Sequence, residues 1–442
     1  MPQMFHSASS PGQNRTPLPP AQSPALAGVP GPGRSGDPGG RPGKQRDPFF
    51  DNAKYLAIVL VAVGHTWATV KSDSRTLEAA YNVVYTFHMP AFIIISGFFS
   101  RNFDLRPDRL KRLITGVVVP YVIFETAYSL FRIFVGHSDD QQISLLSPWY
   151  LTWFLCALFV WRLTAPVWNL VRRPLPLALG IAMLASLTPG IGSELDFQRV
   201  LQFLPCFVLG LCMKPEHFHL VRRRAVRILS VPVFAVALAG AWWTVPRVNG
   251  SWVYRNGAAQ DLGAPWWAGP VMVLVMFGGA VLLTACFFAW VPGRRTWFTA
   301  LGTGTLYGYL LHGFVVKGVL YAGGFDMAAL HGPLGSIVVT VVAAGAVTLL
   351  CTEPVRRVFR FAVEPRMEWA FRQPAGAGSG TGTGGTGAAR DHSQPASPTP
   401  FRQWGSIARR RRESMRSIGD RRQRREVRCR PPRARHDRRD TP

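Results

Sequence analysis

Residues 46–65 read RDPFFDNAKYLAIVLVAVGH, and the rest of the chain can be placed against them. The stretch begins with charge at Arg46, Asp47, Asp51 and Lys54, becomes wholly apolar, and then meets His65 inside the apolar run. Lys54 and His65 are 11 positions apart. At about 100° per residue that is about three turns, so a helix puts both side chains on one face, about 16 Å apart along its axis. Asp51 falls one turn before Lys54 on nearly the same stripe. The expected helix carries a polar track from a membrane boundary to mid-bilayer, where ionisable groups face a cavity or partner helices rather than lipid.

The chain as a whole fits a membrane setting. Its 442 residues are 48% hydrophobic, with 14 Trp and 28 Phe, and the apolar residues recur in stretches near the length of a bilayer span. Ten spans are expected, at 54–70, 81–99, 113–135, 149–168, 174–190, 199–213, 226–244, 266–290, 297–321 and 333–353. Loops two, four, six and eight carry the basic residues: Arg101 to Arg112, then Arg172 and Arg173, then Lys214 and Arg222 to Arg224, then Arg294 and Arg295. The odd loops are nearly free of excess positive charge, as in HSDDQQ at 137–142 and SELD at 193–196. That alternation is the positive-inside pattern of an even number of spans with both termini cytoplasmic. The expected fold is an all-α polytopic bundle of about ten transmembrane helices over 48–371, multi-pass in the cell membrane.

The flanks differ in composition. Residues 1–47 are rich in Pro, Gly and Ser and contain no signal-peptide core, so a disordered segment is expected, with the first span as the targeting signal. Residues 372–442 open as a Gly/Thr/Ser linker and continue as an Arg-rich tail. From Phe371 onward there are 18 Arg against 6 acidic residues, so much of the net charge of +26 sits there. Such a tail is expected to lie on anionic lipid, and the charge gives no ground for specific nucleic-acid binding by the whole protein. Five of the six cysteines fall within or beside apolar segments, which excludes a disulfide framework. Cys206, Cys212, His217 and His219 are too irregularly spaced for zinc, and no Walker loop or metal triad occurs, so no metal is expected.

Lys54 followed by ten residues and His65, with HMPAFIIISGFF at 88–99, resembles the first two spans of the integral-membrane acyltransferase-3 family, most closely its fucose 4-O-acetylase-related branch. Arg109 and Arg112 before VVVPY at 117–121, TLYGYLLHG at 305–313 and TEPVRR at 352–357 resemble further landmarks of that family. The wider family usually has Arg where this chain has Lys54, a change that keeps charge and loses a bidentate fork. The resemblance implies an O-acyltransferase that moves acetyl from cytoplasmic acetyl-CoA to a hydroxyl of a carbohydrate or glycosylated acceptor. His65 matches the family histidine and is expected to serve as base or acyl carrier. Lys54, Arg109 and Arg112 are expected to meet the donor.

Span topology adds two candidates. His65, His88 and Glu125 all fall about 16–18 Å above the cytoplasmic boundary, so the three are expected to converge as acid–base groups. His88 could instead make a structural hydrogen bond beside Pro90, which frees a backbone carbonyl, Glu125 could pair with Arg132, and His312 is expected nearer the outer side, in packing or interface hydrogen bonding. Ser96 and Gly97 suit close helix contact more than nucleophilic chemistry. A proton-coupled transporter is the competing function, because intramembrane His, Glu and Lys also build proton relays.

Overall fold

The first helix begins where its cap is. Asp47 accepts a hydrogen bond from the Phe49 amide at 2.9 Å, Pro48 takes the first helical position, and helix α1 runs Pro48–Trp67. It therefore starts six residues before the expected span, and His65 lies in its last turn. In the computed structural model, residues 47–137, 143–191, 194–365 and 367–371 are described. Residues 1–46 of the segment 1–47 expected to be disordered lie outside them, as does the tail beyond 371, whereas Asp47 is the cap of α1.

Among the described residues all regular structure is helical. Helix α2, Arg75–Ser100, is capped by Ser74 and carries Pro90 internally. Helix α3, Pro107–Leu113, runs through a π-helical turn, Ile114–Val118, into α4, Val119–Phe134. Pro120 has no amide for the preceding turn, and the wider turn absorbs the mismatch. Then follow α5, Trp153–Trp168, α6, Pro174–Leu187, α7, Phe197–Cys212, and the short α8, Pro215–Val221. Helices α9, Arg224–Thr244, α10, Ala268–Trp290, α11, Thr305–Tyr321, α12, Pro333–Leu350, and α13, Glu353–Val363, complete the order.

Each of the ten expected segments overlaps a helix, and α8 and α13 are additional short elements. Among the described residues six helical stretches are long and apolar enough to cross a membrane: α2, α3 through α4, 194–212 containing α7, α9, α10 and α12. Helices α5 and α6 are apolar but shorter. On α9 only Ser230 is buried, and Ile228 and Val236 are 61% and 72% exposed. An outward face of that composition needs lipid rather than water against it. The chain is thus an all-α, multi-pass membrane protein.

Helix α2 organises the packing, touching α1, α7, α9 and α10. Its crossing with α7 depends on two glycines. A Cβ at Gly97 would stand 2.2 Å from the Phe207 carbonyl oxygen, and one at Gly210 would stand 2.2 Å from that of Ile94. Gly97 therefore belongs to the helix contact expected of the SGF sequence. At its start, α1 is held to the segment before α11 by Asn52, which is fully buried. Asn52 donates to the carbonyls of Pro292 and Arg294 at 2.8 and 3.0 Å and accepts from the Thr299 hydroxyl at 2.7 Å. Held in that way, the segment before α11 forms only a short 3₁₀ helix, Ala300–Thr303, and α11 starts eight residues later than the expected span.

Candidate active site

His312 fixes the orientation of His65. A carbonyl oxygen only accepts, so the contact between His312 Nδ1 and the Gly308 carbonyl, 2.9 Å, makes Nδ1 the donor. In neutral His312 the other nitrogen, Nε2, is then an acceptor. It lies 3.0 Å from His65 Nδ1, which must donate to it. The neutral chain therefore runs from His65 through His312 to a backbone oxygen, and it leaves His65 Nε2 with a free lone pair. The two rings are nearly coplanar, at an interplanar angle of 15°.

His88 follows the same rule. Its Nδ1 donates to the Val84 carbonyl at 2.8 Å, one turn back on α2, so Nε2 is the acceptor in the neutral ring. That Nε2 is buried and has no hydrogen-bond partner among the described residues. A buried polar atom left unmet costs free energy, so this one is available to a ligand. His88 thus makes a structural hydrogen bond, to Val84 rather than to the Thr86 carbonyl that Pro90 frees, and this leaves the second nitrogen available.

Both histidines line one cavity of about 290 Å³. Its walls are mainly aromatic, from Tyr81, Tyr85, Tyr150, Trp153, Tyr254 and Tyr309, with Arg199 as the charged member. Arg199 donates to Asp196 at 2.8 Å and to the Tyr254 carbonyl at 3.1 Å. Tyr150 packs on His65 with ring centroids 4.9 Å apart.

Glu125 does not line this cavity. Its buried carboxylate accepts from the Trp149 amide at 3.0 Å and from the Thr152 hydroxyl. Arg132, the expected partner, instead lies over the Trp149 ring, 5.4 Å from its centroid. The three groups expected at one depth therefore divide, two histidines in the cavity and the carboxylate behind its wall.

Lys54 lines a second, larger cavity of about 820 Å³. It is ion-paired to Asp51 at 2.7 Å, and Arg101, Asn102, Thr303 and Arg356 also line this space. Between Lys54 and His65, Ile58, Val61 and Ala62 are buried and apolar. The expected polar track along α1 is thus two separate sites. Arg109 is outside the lining but bonds the carbonyl of Asn102 and pairs with Asp104 at 3.2 Å, whereas Arg112 is exposed. Among the described residues no cluster of His, Cys, Asp and Glu could hold a metal ion.

Two cavities at opposite ends of a Lys-to-His helix match the motif that the sequence carries, and the family comparison agrees. The profile of the family Acyl_transf_3, described as an acyltransferase domain, matches residues 47–352. The chain belongs to acyltransferase family 3. That match starts at the cap of α1 and takes in every residue of the two-histidine cavity. Two relatives of this family member are both named nodulation protein NolL. The one from Sinorhizobium fredii is 28% identical over 142 residues, which is 29% of this chain and 39% of that protein. The one from Mesorhizobium japonicum is 38% identical over 77 residues, 17% of this chain and 20% of that protein. The chain thus spans less than half the length of either relative in these alignments. No solved structure matches it.

Of the two structural roles expected for His312, packing or interface hydrogen bonding, the structure shows the second, and the partner, His65, is what the sequence does not reveal. The local signal was there: Gly308 and His312 are four apart on α11, so the carbonyl that orients the ring is built into the helix. The 247-residue separation from His65 hid the pairing itself. Tyr150, Arg101 and Arg356 were likewise not singled out as lining residues.

Proposed function

We propose that the protein is a membrane-bound O-acyltransferase. It moves an acyl group, acetyl in the simplest case, from cytoplasmic acetyl-CoA to a hydroxyl of a carbohydrate or glycosylated acceptor. The observation that carries this proposal is the oriented pair, with His65 Nδ1–H committed to His312 and His65 Nε2 left as an acceptor on an aromatic-walled cavity. Aromatic walls suit the apolar faces of a sugar ring, and about 290 Å³ is near the lower end for small-molecule sites.

His65 Nε2 takes the proton of the acceptor hydroxyl as that oxygen attacks the thioester carbonyl, and returns it to the coenzyme A sulfur as the carbon–sulfur bond breaks. The positive charge then developing on the imidazole is spread by the His65 Nδ1–H bond to His312, whose own Nδ1–H rests on Gly308. His88 Nε2, with no protein partner, accepts a hydrogen bond from a second donor on the acceptor and so turns the reacting hydroxyl toward His65. At the other end of α1, Lys54, Arg101 and Arg356 meet donor phosphates, with Arg109 behind Asn102 at the rim and Arg112 on the same short helix. Ten spans with both termini cytoplasmic would put that cavity on the coenzyme A side.

The test is transfer without a gradient. Purified protein in nanodiscs, given radiolabelled acetyl-CoA and a panel of p-nitrophenyl glycosides, is expected to release free coenzyme A thiol and label a glycoside. Absence of both, with proton flux instead observed in proteoliposomes, would overturn the assignment in favour of transport.

A further inference from the structure

Tyr150 is held in an unusual way. It is a non-glycine residue with φ +59°, in the left-handed region that costs free energy for an L side chain. On either side of it, Trp149 donates its amide and Thr152 its hydroxyl to the same Glu125 oxygen. Thr152 is fully buried and Glu125 nearly so, and no basic side chain pairs with this carboxylate among the described residues. Leu151, the remaining residue of the turn, accepts the Tyr309 hydroxyl through its carbonyl. The turn from 149 to 152 is therefore fastened at three of its four residues, and the fourth is the tyrosine that packs on His65. The Lys317 ammonium lies over the Tyr150 ring, 4.8 Å from its centroid.

We propose that Glu125 is a positioning residue: as a hydrogen-bond acceptor it holds the 149–152 turn so that the Tyr150 ring fixes His65 in the plane of His312. Glu125 then carries no proton in the reaction. Lacking this clamp, the turn relaxes from its left-handed conformation, Tyr150 leaves the imidazole, and His65 rotates away from His312. A misplacement of that size at a general base costs about 10²-fold in rate.

The kinetic part of this proposal rests on His65 acting as the base, so the experiment has an arm that does not. Glu125→Gln and Glu125→Ala are compared in nanodiscs, because an amide oxygen still accepts from both Trp149 and Thr152 whereas alanine cannot. Glu125→Gln is expected to keep the wild-type kcat and pH profile, and Glu125→Ala to lose about 10²-fold in kcat with KM little changed. In parallel, His65 carbethoxylation by diethyl pyrocarbonate is followed by peptide mass analysis. It should be faster in Glu125→Ala and unchanged in Glu125→Gln, whether or not the protein transfers acyl groups. Tyr150→Gly relieves the backbone strain, so it is expected to expose His65 to the reagent without lowering the melting temperature. Equal loss of kcat in the Gln and Ala variants would overturn the proposal, because the charge or proton of Glu125 would then matter. Unchanged His65 labelling in both Glu125→Ala and Tyr150→Gly would overturn it as well. A wild-type protein that transfers nothing, yet shows the expected labelling pattern, would refute only the enzymatic assignment.

Discussion

At the scale of single residues, what could be read from sequence depended on whether a group's partner was local. Lys54 and His65 share one helix, so their spacing revealed a motif. His88 was found because an ionisable side chain in an apolar span is conspicuous, and its bond to Val84 is a one-turn contact. Glu125 drew attention for the same reason, but its partners lie 24 and 27 residues away in a turn whose conformation no local pattern announces. His312 required a contact between α1 and α11. Its replacement therefore makes a sharp test: His312→Ala is expected to lower transfer by about 10²-fold, with protein yield and melting temperature close to wild type. A second residue, His331, lies outside the spans in the loop between α11 and α12. One ring nitrogen contacts the Asp73 carboxylate and the other the Phe325 carbonyl at 2.8 Å, so both must donate and the imidazolium is favoured. These bonds, the Phe325 carbonyl first, hold its pKa above the usual histidine range. Because the folded value is the raised one, this link is fully present below about pH 6.5 and is lost as pH rises through the folded value. Protection of 322–332 relative to the intrinsic exchange rate should fall over that rise in the wild type, and a His331→Gln variant should show no such fall.

At the scale of helices, apolar length located the elements, while their ends followed capping and packing. Asp47 and Ser74 moved the starts of α1 and α2 outward, and both are ordinary N-cap residues in the sequence. The start of α11 was less legible, because the chain before it is held by Asn52 from a distant helix. The tight crossing of α2 against α7 was visible only as glycines in apolar runs. Gly97→Val or Gly210→Val should force the two backbones apart, an overpacking that costs about 1–3 kcal/mol. The expected outcome is a lower detergent melting temperature for each single variant. Near-wild-type melting of both would show that the crossing tolerates separation. Gly240 on α9, with open space where a Cβ would sit, is the control and should tolerate valine in the bilayer.

At the scale of the whole molecule, the basic loops and the helix order together predict an even topology. Reporter fusions after residues 262 and 326 should read outside, and fusions after 172 and 294 inside; an inverted pattern would place the Lys54 cavity away from the coenzyme A pool. The two cavities use opposite ends of α1, so donor and acceptor are expected to approach from different faces. Their only covalent link through α1 is 11 residues long, about 16 Å. Everything in the proposed reaction then converges on one nitrogen, His65 Nε2. The most direct measurement is single-turnover acetyl transfer by His65→Ala in nanodiscs, at matched insertion and melting temperature. Loss of a positioned base predicts a fall of about 10² to 10⁴ in the rate of labelling the acceptor, with donor binding retained at the Lys54 cavity. Near-normal transfer by well-folded His65→Ala would contradict the account.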